Sequence, residues 1–358
     1  MPNELLTFPR PAPAPQAGVE KTAVFSWARE LVLPALRKAV EELPAPERRI
    51  TGYHRGWNEA DGSPTPAPTG EGAGKAVRPA LVFLSAMAVG AAAECAIPGA
   101  VAVELVHDFS LLHDDVIDAD RLRRHRPAAW AVYGAPAAVL AGDALLISAL
   151  STLTASTTPH SASAVKELSW ALDGLLRGQS QDVAFEGTDR VPATDYLAMA
   201  AGKTGALMGC ACALGAVLAG VPEERVSGLR DFGRHLGVAF QCVDDLLGIW
   251  GRTERSGKPV GADVAARKKS LPVAVALAAA GEAGERLRSL YSRPQFLSEA
   301  DIALATDLIE QAGGREATEL EAKRQMTSAM RALARAEPVP AVYRRLQDIA
   351  MLLTHRDH

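Results

Sequence analysis

Residues 111–127 read LLHDDVIDADRLRRHRP and set Asp114, Asp115 and Asp118 in an apolar run, with Arg123 and Arg124 just downstream. On a helix, spacings of one and four put Asp114 and Asp118 on one face with Asp115 beside them. His107 lies seven residues before Asp114, two turns up that face. A second cluster, Gln241, Asp244, Asp245 and Gly248, follows helical spacing and forms another polar stripe. Flanks such as ELVHDFSLLHDDVI and GVAFQCVDDLLGIW are too apolar for an exposed edge, so the acids are expected to line a cavity. Two carboxylates about 4 Å apart repel by roughly 4 kcal/mol at an effective dielectric of 20. Buried together, they need a cation or a proton. Hard oxygen donors with room for water suit Mg2+, which shares its coordination shell with substrate phosphates. Two such acid pairs point to a metal-assisted grip on a diphosphate.

The basic residues then need a role. Lys75 and Arg78 stand three apart in GAGKAVRPA, at an expected helix start, where N–H groups and paired cations favour anions. Arg123, Arg124, Lys203 in AGKTGAL, Lys258 in SGKPVGAD, and Lys268 and Lys269 in ARKKSLP add further positive charge. Each alone reads as a solvated side chain. Together with the aspartate pairs they suggest two anion sites, one bridged by metal and one made by direct basic contacts.

Helices must carry these groups. From Lys75 onward apolar residues recur at spacings of three and four, and no alternating strand pattern appears. In residues 222–250, Val226, Leu229, Phe232, Leu236, Phe240, Val243 and Leu247 form one apolar stripe. Pro98, Pro127, Pro159, Pro192, Pro222, Pro272, Pro294 and Pro338 fall where helices are expected to end or begin. A helix with a kink at Pro34 is expected over 21–43, and loop over 44–74. Residues 1–20, with Pro9, Pro11, Pro13 and Pro15, read as a disordered Pro/Ala-rich tail, with docking to a partner as the alternative. Residues 21–358 are expected to form one all-α domain, a single helical bundle around a central cavity.

The 358 residues, 48% of them hydrophobic, suffice for a large core. A net charge of −4 gives no general attraction to nucleic acid or an anionic membrane. The uncharged stretch 205–222 consists mostly of Ala, Gly and Cys and suits a tightly packed internal helix rather than a membrane span. Cys95, Cys210, Cys212 and Cys242 lack metal-ligand spacing and read as buried, reduced thiols. With no charged-then-apolar leader, a cytoplasmic location is expected.

From about Tyr53 to the C-terminus these motifs resemble, in order, those of the trans-isoprenyl diphosphate synthases, or polyprenyl synthetases, and geranylgeranyl diphosphate synthases in particular. AGKAVRP (73–79) resembles the family's GGKRxRP, and 104–124 its first aspartate-rich motif. GQSQD (178–182), Lys203–Thr204, FQCVDDLLGIWG (240–251) and GKPVGADVAARKKSLP (257–272) resemble the remaining motifs. The resemblance implies an all-α homodimer acting on isopentenyl diphosphate and allylic prenyl diphosphates. It implies that Asp114, Asp115, Asp118 and Asp244 hold Mg2+, three ions per site when diphosphate is bound. Arg123, Lys203, Thr204, Gln241, Lys258 and Lys268 would then serve the allylic diphosphate. Lys75, Arg78, His107 and Arg124 would bind that of isopentenyl diphosphate, with Gln179, Asp182 and Asp245 in support.

The implied chemistry is ionisation of the allylic diphosphate, attack by the isopentenyl double bond, and loss of a proton. Phe109, five residues before Asp114 or about 7.5 Å along the axis, could floor the product cavity, with the small Ser110 beside it. In the family this pairing goes with a C20 product, and aromatics at both positions with C15. Three departures stand out: Gly248 replaces a third aspartate, His125 replaces Gly after the arginine pair, and Ala73 and Ala76 replace Gly and Arg. The alternatives are a class I terpene cyclase, against which the missing Asn/Ser/Glu triad counts, and a non-catalytic partner subunit.

Overall fold

A computed structural model describes residues 23–65, 75–251 and 261–354. The tail at 1–20, Ala73 and Lys258 lie outside the described residues. The helical periodicity of the sequence becomes α1 (Ala23–Glu41), α2 (Ala45–His54), α3 (Val77–Ala88), α4 (Ile97–Ile117), α5 (Ala129–Tyr133), α6 (Ala135–Thr154) and α7 (Ser161–Glu186). It continues as α8 (Ala193–Ala200), α9 (Ala206–Leu218), α10 (Glu223–Trp250), α11 (Ala262–Ala265), α12 (Leu271–Ala278), α13 (Glu282–Tyr291), α14 (Glu299–Gln311), α15 (Gly314–Arg335) and α16 (Pro340–Thr354). All eight prolines named above lie between helices or in a first turn, where a missing N–H costs nothing.

Helix α9 is the axis of the bundle. Every residue from Leu207 to Leu218 is buried, and α3, α4, α7 and α10 pack around it. Its small residues let these helices close in: a Cβ at Gly215 would meet the Val82 carbonyl oxygen at 2.2 Å. The stripe expected on α10 is the buried one, with Phe240 and Leu247 half-buried at its lower end. The main apolar core spans α1 to α10 and the last two helices, and two smaller clusters sit under α11–α14 and around α8.

Three expectations change. The segment 44–74 is not all loop: α2 starts behind the extended Pro44, carries its other proline in the first turn, and buries Ile50, Tyr53 and His54. Helix α1 runs through Pro34, as the helix expected over 21–43 does. A short antiparallel hairpin, β1 (Leu122–Arg123) and β2 (Arg126–Pro127), follows α4. Its two turn residues, Arg124 and His125, have φ of 50° and 62°, the two-residue geometry that matches strand twist. Cys95 is exposed, on a single turn ahead of α4, whereas Cys210, Cys212 and Cys242 are buried free thiols.

Candidate active site

The acids of α4 sit at its C-terminal end, where the chain leaves the core. Asp118 caps the helix, its N–H bonding back to the Asp114 carbonyl at 2.8 Å. Burial pushes the Asp114 carboxyl up to about 6; Lys203 and Arg123 oppose that rise, and Asp118 and Asp182 add to it. Asp115 points elsewhere. It is 1% exposed, and Arg123 grips both its oxygens through Nε at 2.7 and 2.8 Å. The left-handed turn at Arg124 and His125 returns β2 antiparallel along β1, the strand that carries Arg123. It also accounts for the resemblance's Gly at position 125, a residue that adopts such φ without steric cost.

Lys203 and Thr204 stand on a π-helical turn, Ala201–Gly205, between α8 and α9. Glycine faces glycine there: a Cβ at Gly178 on α7 would lie 2.2 Å from the Lys203 backbone N, and one at Gly202 would lie 2.7 Å from the Gly174 carbonyl. This closeness lets Lys203 Nζ reach Asp182 Oδ2 at 2.6 Å. Thr204 Oγ1 donates to Gln241 Oε1 at 2.8 Å, and Gln241 Nε2 donates to Asp245 Oδ1 at 3.1 Å. Asp245, 2% exposed, also accepts from the Tyr196 hydroxyl at 2.5 Å and from the Leu271 N–H at 3.0 Å. Asp245 is therefore a hub joining α8, α10 and α12. Asp244, its neighbour, is only half-buried.

Burial works against the charge on Lys268, yet Asp263, Asp245, Asp182 and Asp118 hold its pKa above the ordinary lysine value. Helices α4, α7, α10 and α11 thus bring their acids within electrostatic reach of one ammonium group. At Gly248 the departure is met from α11: a Cβ there would fall 2.1 Å from Asp263 Oδ2. An acid from another helix occupies the space of the missing aspartate.

On the other side of Arg124 lies a cavity of about 230 Å3 lined by Lys75, Arg78, His107 and Arg124, with Phe240 and Leu353 on its walls. The sequence reading placed these four polar residues in one anion site, and the fold brings them together. Burial, then Arg78 and Arg124, drives the His107 pKa well below its ordinary value, so the imidazole is neutral at pH 7. Arg78 Nε is buried without a protein partner. Phe109 is buried against His113, ring centroids 4.6 Å apart, and both rings rest on Gly142 of α6. Ser110 donates to the His107 carbonyl at 2.8 Å.

A basic cavity beside an acid-lined mouth is the combination the sequence pointed to. A scan against protein-family models matches residues 69–309 to "Polyprenyl synthetase". The chain belongs to the polyprenyl synthetase family. Relatives include the (2E,6E)-farnesyl diphosphate synthase of Mycobacterium tuberculosis, 44% identical over 336 residues, which span 93% of this chain and 92% of the relative. The geranylgeranyl diphosphate synthase of the same organism is 44% identical over 312 residues, 87% of this chain and 88% of that one. A crystal structure of a polyprenyl synthetase from Streptomyces coelicolor A3(2) superposes with a TM-score of 0.89 at 46% identity, covering 93% of this chain and 99% of that one. The all-α isoprenoid synthase fold follows.

For a polyprenyl synthetase the metal question can be put to the donors themselves. Among the described residues no three acids or histidines lie close enough to cage an ion. The donors are hard carboxylate oxygens, and Asp114 is crowded by burial and by Asp118. Both amide atoms of Gln179 are buried with no protein partner. Such a set fits ions held jointly by carboxylates and diphosphate oxygens. The motifs did not single out Arg55, Glu104 and Asp108, which also line the basic cavity. The signal was present in ELVHDF: two acids four apart in an apolar helix require a buried cation.

Proposed function

We propose that this trans-prenyltransferase condenses isopentenyl diphosphate with an allylic diphosphate and stops at the C20 product. One observation carries the reading. A basic cavity of Lys75, Arg78, His107 and Arg124 lies close to the crowded carboxylate of Asp114, so the site can handle two diphosphates in two different ways, one by direct basic contacts and one through divalent ions. A cyclase has no use for the first.

In this reading Asp114, Asp118 and Asp244 hold Mg2+, three ions with the diphosphate in place. Once bound, these ions supply the positive charge that helps the allylic C–O bond ionise. Lys203, Lys258 and Arg123 donate to the departing diphosphate; for Arg123 and Lys203 this means sharing bonds now made to Asp115 and Asp182. Gln241 and Thr204 keep the lysine turn in register with α10. The basic cavity holds isopentenyl diphosphate with its double bond toward the allylic carbon, and the new C–C bond forms there. The departed diphosphate takes up the proton released. The buried apolar walls of α4 and α9 keep water from the cation.

Relatives of equal identity are named for C15 and for C20 products. Phe109 with the small Ser110 before Asp114 favours C20. Incubation with isopentenyl diphosphate, Mg2+ and C5, C10 or C15 primers tests both points. A ladder ending at C20 is expected; termination at C15 would refute the length, and hydrocarbons formed without isopentenyl diphosphate would refute the reaction.

The same reading makes the enzyme a homodimer. Among the described residues three helical segments are long and apolar enough to cross a membrane by length and composition, and two of them are 67% and 72% buried inside the protein. The third, α6, is only 33% buried. It exposes Leu140 and Ile147 seven residues apart, and the adjoining α7 exposes Trp170, Leu176 and Val183. This face is read as the surface that a second copy covers. The free thiols support placing the enzyme in the reducing cytoplasm.

A further inference from the structure

The basic cavity contains two carboxylates, which is unexpected for a place that receives an anion. Glu104 and Asp108 stand four apart on α4, and Asp108 is 2% exposed. Their charge is spent on Arg55, the residue that ends α2. Arg55 Nε donates to Asp108 Oδ2 at 2.5 Å and Nη2 donates to Glu104 Oε2 at 3.2 Å. Trp57 lies against the guanidinium, 5.3 Å from ring centroid to Cζ, and only 5% of the residue is exposed. Two acids and an aromatic face fix the group from three sides.

Holding a guanidinium this tightly is costly in desolvation and side-chain entropy. A tie between α2 and its neighbours could be made more cheaply by apolar contact, and Ile50 and Tyr53 of α2 are already buried in the main core. The acids take Nε and Nη2, and Arg55 also lines the cavity with Lys75, Arg78 and Arg124. Four permanent cations against two carboxylates leave the cavity positive, with His107 neutral.

Resting on the reading of this cavity as the isopentenyl diphosphate site, we propose that Arg55 is a further ligand of that diphosphate, its guanidinium aimed by Glu104 and Asp108. The acids act as positioning residues: they set the orientation of the fork so that its remaining edge meets the phosphate without reorganisation.

The test titrates isopentenyl diphosphate alone into metal-free protein by calorimetry, where no allylic partner is present and nothing is consumed. Wild type should bind. Arg55→Gln should bind about 10- to 100-fold more weakly, the range expected for a lost charged hydrogen bond. Arg55→Lys keeps a charge between the acids but not the fork; it should lose about tenfold, and it carries the test if the glutamine variant does not fold. In steady-state assays KM for isopentenyl diphosphate should rise by the same factors, while KM for the allylic partner stays within about twofold. Variants that bind isopentenyl diphosphate as wild type does, and only melt earlier, would make Arg55 a structural tie and overturn the proposal. Failure of wild type to bind would instead overturn the assignment of the cavity.

Discussion

Gly178→Ala tests how the lysine turn is placed. The new Cβ would lie 2.2 Å from Lys203 N, 2.8 Å from Gly202 C and 2.9 Å from Lys203 Cα. All three are backbone atoms, so no change of rotamer relieves the clash. Ordinary contact begins at 3.4 Å, so α7 and the π-helical turn must part by 1.2 Å, the difference between 3.4 and 2.2. A shift of that size along the 2.6 Å Lys203–Asp182 pair takes it out of hydrogen-bonding range. Overpacking of this kind costs about 1–3 kcal/mol of stability, and moving a reacting group by ~1 Å costs ~10²-fold in rate. We therefore expect kcat to fall about 10²-fold and allylic KM to rise, with a modest loss of melting temperature. KM for isopentenyl diphosphate should hold, because the polar residues lining its cavity come from the end of α2, the start of α3, α4 and the hairpin, not from α7 or the lysine turn. Gly174→Ala is the control: its methyl would meet only the Ala206 side chain, at 2.9 Å, and should be far milder. Wild-type kcat in Gly178→Ala, or equal losses for the two substrates, would refute the placement argument.

Three further outcomes are expected. Phe109→Ala empties the seat beside His113 and Gly142 and should lengthen the product beyond that of wild type, read by chromatography of dephosphorylated products; an unchanged profile removes Phe109 from length control. Ile147→Asp puts a charge in the open apolar face of α6 and should shift the protein from dimer to monomer in light scattering, whereas an unshifted mass places the interface elsewhere. The Asp114 carboxyl, raised by burial to about 6, binds a proton that a divalent ion must displace. Affinity for Mg2+ plus pyrophosphate should be level above pH 6 and fall about tenfold per unit below it. In the ligand-free protein the sign is opposite: the folded state holds this proton more tightly, so Asp114's contribution to stability is full below the ordinary aspartate range and lost as pH rises through about 6. The thermal shift produced by Mg2+ and pyrophosphate should therefore be larger at pH 8 than at pH 5.5.

Much of the fold was legible because helical periodicity and proline placement act locally. The apolar stripe of α10 and the glycine-rich α9 followed from residue spacing alone. Helix α2 escaped because a ten-residue helix with Pro46 in its first turn carries little periodic signal, and burial of Ile50 and Tyr53 decides the matter. The β1–β2 turn escaped because neither Arg124 nor His125 is a turn former. Its left-handed backbone, at φ of 50° and 62°, lies at two residues that no local glycine or asparagine announces. In the site, acid spacing on one helix was readable, but partners were not. That Asp115 faces Arg123, or that Asp263 fills the space at Gly248, depends on how separate helices meet.

Asp115 with Arg123, and Asp182 with Lys203, are acid–base pairs in this chain, so the site does not stand open as bare charge. Neutralising groups are stored next to the groups they will serve. An arriving metal–diphosphate competes with a pair that is already made, and only the excess of the new interaction over the old appears as affinity. Part of the binding energy is thus withheld until both metal and diphosphate are present. This biases the site against either alone and against solvent reaching a half-assembled centre. The acids that lack such a basic partner at hydrogen-bonding distance among the described residues, Asp114 above all, sense the metal first, which is why proton competition should be read at Asp114 rather than at Asp115.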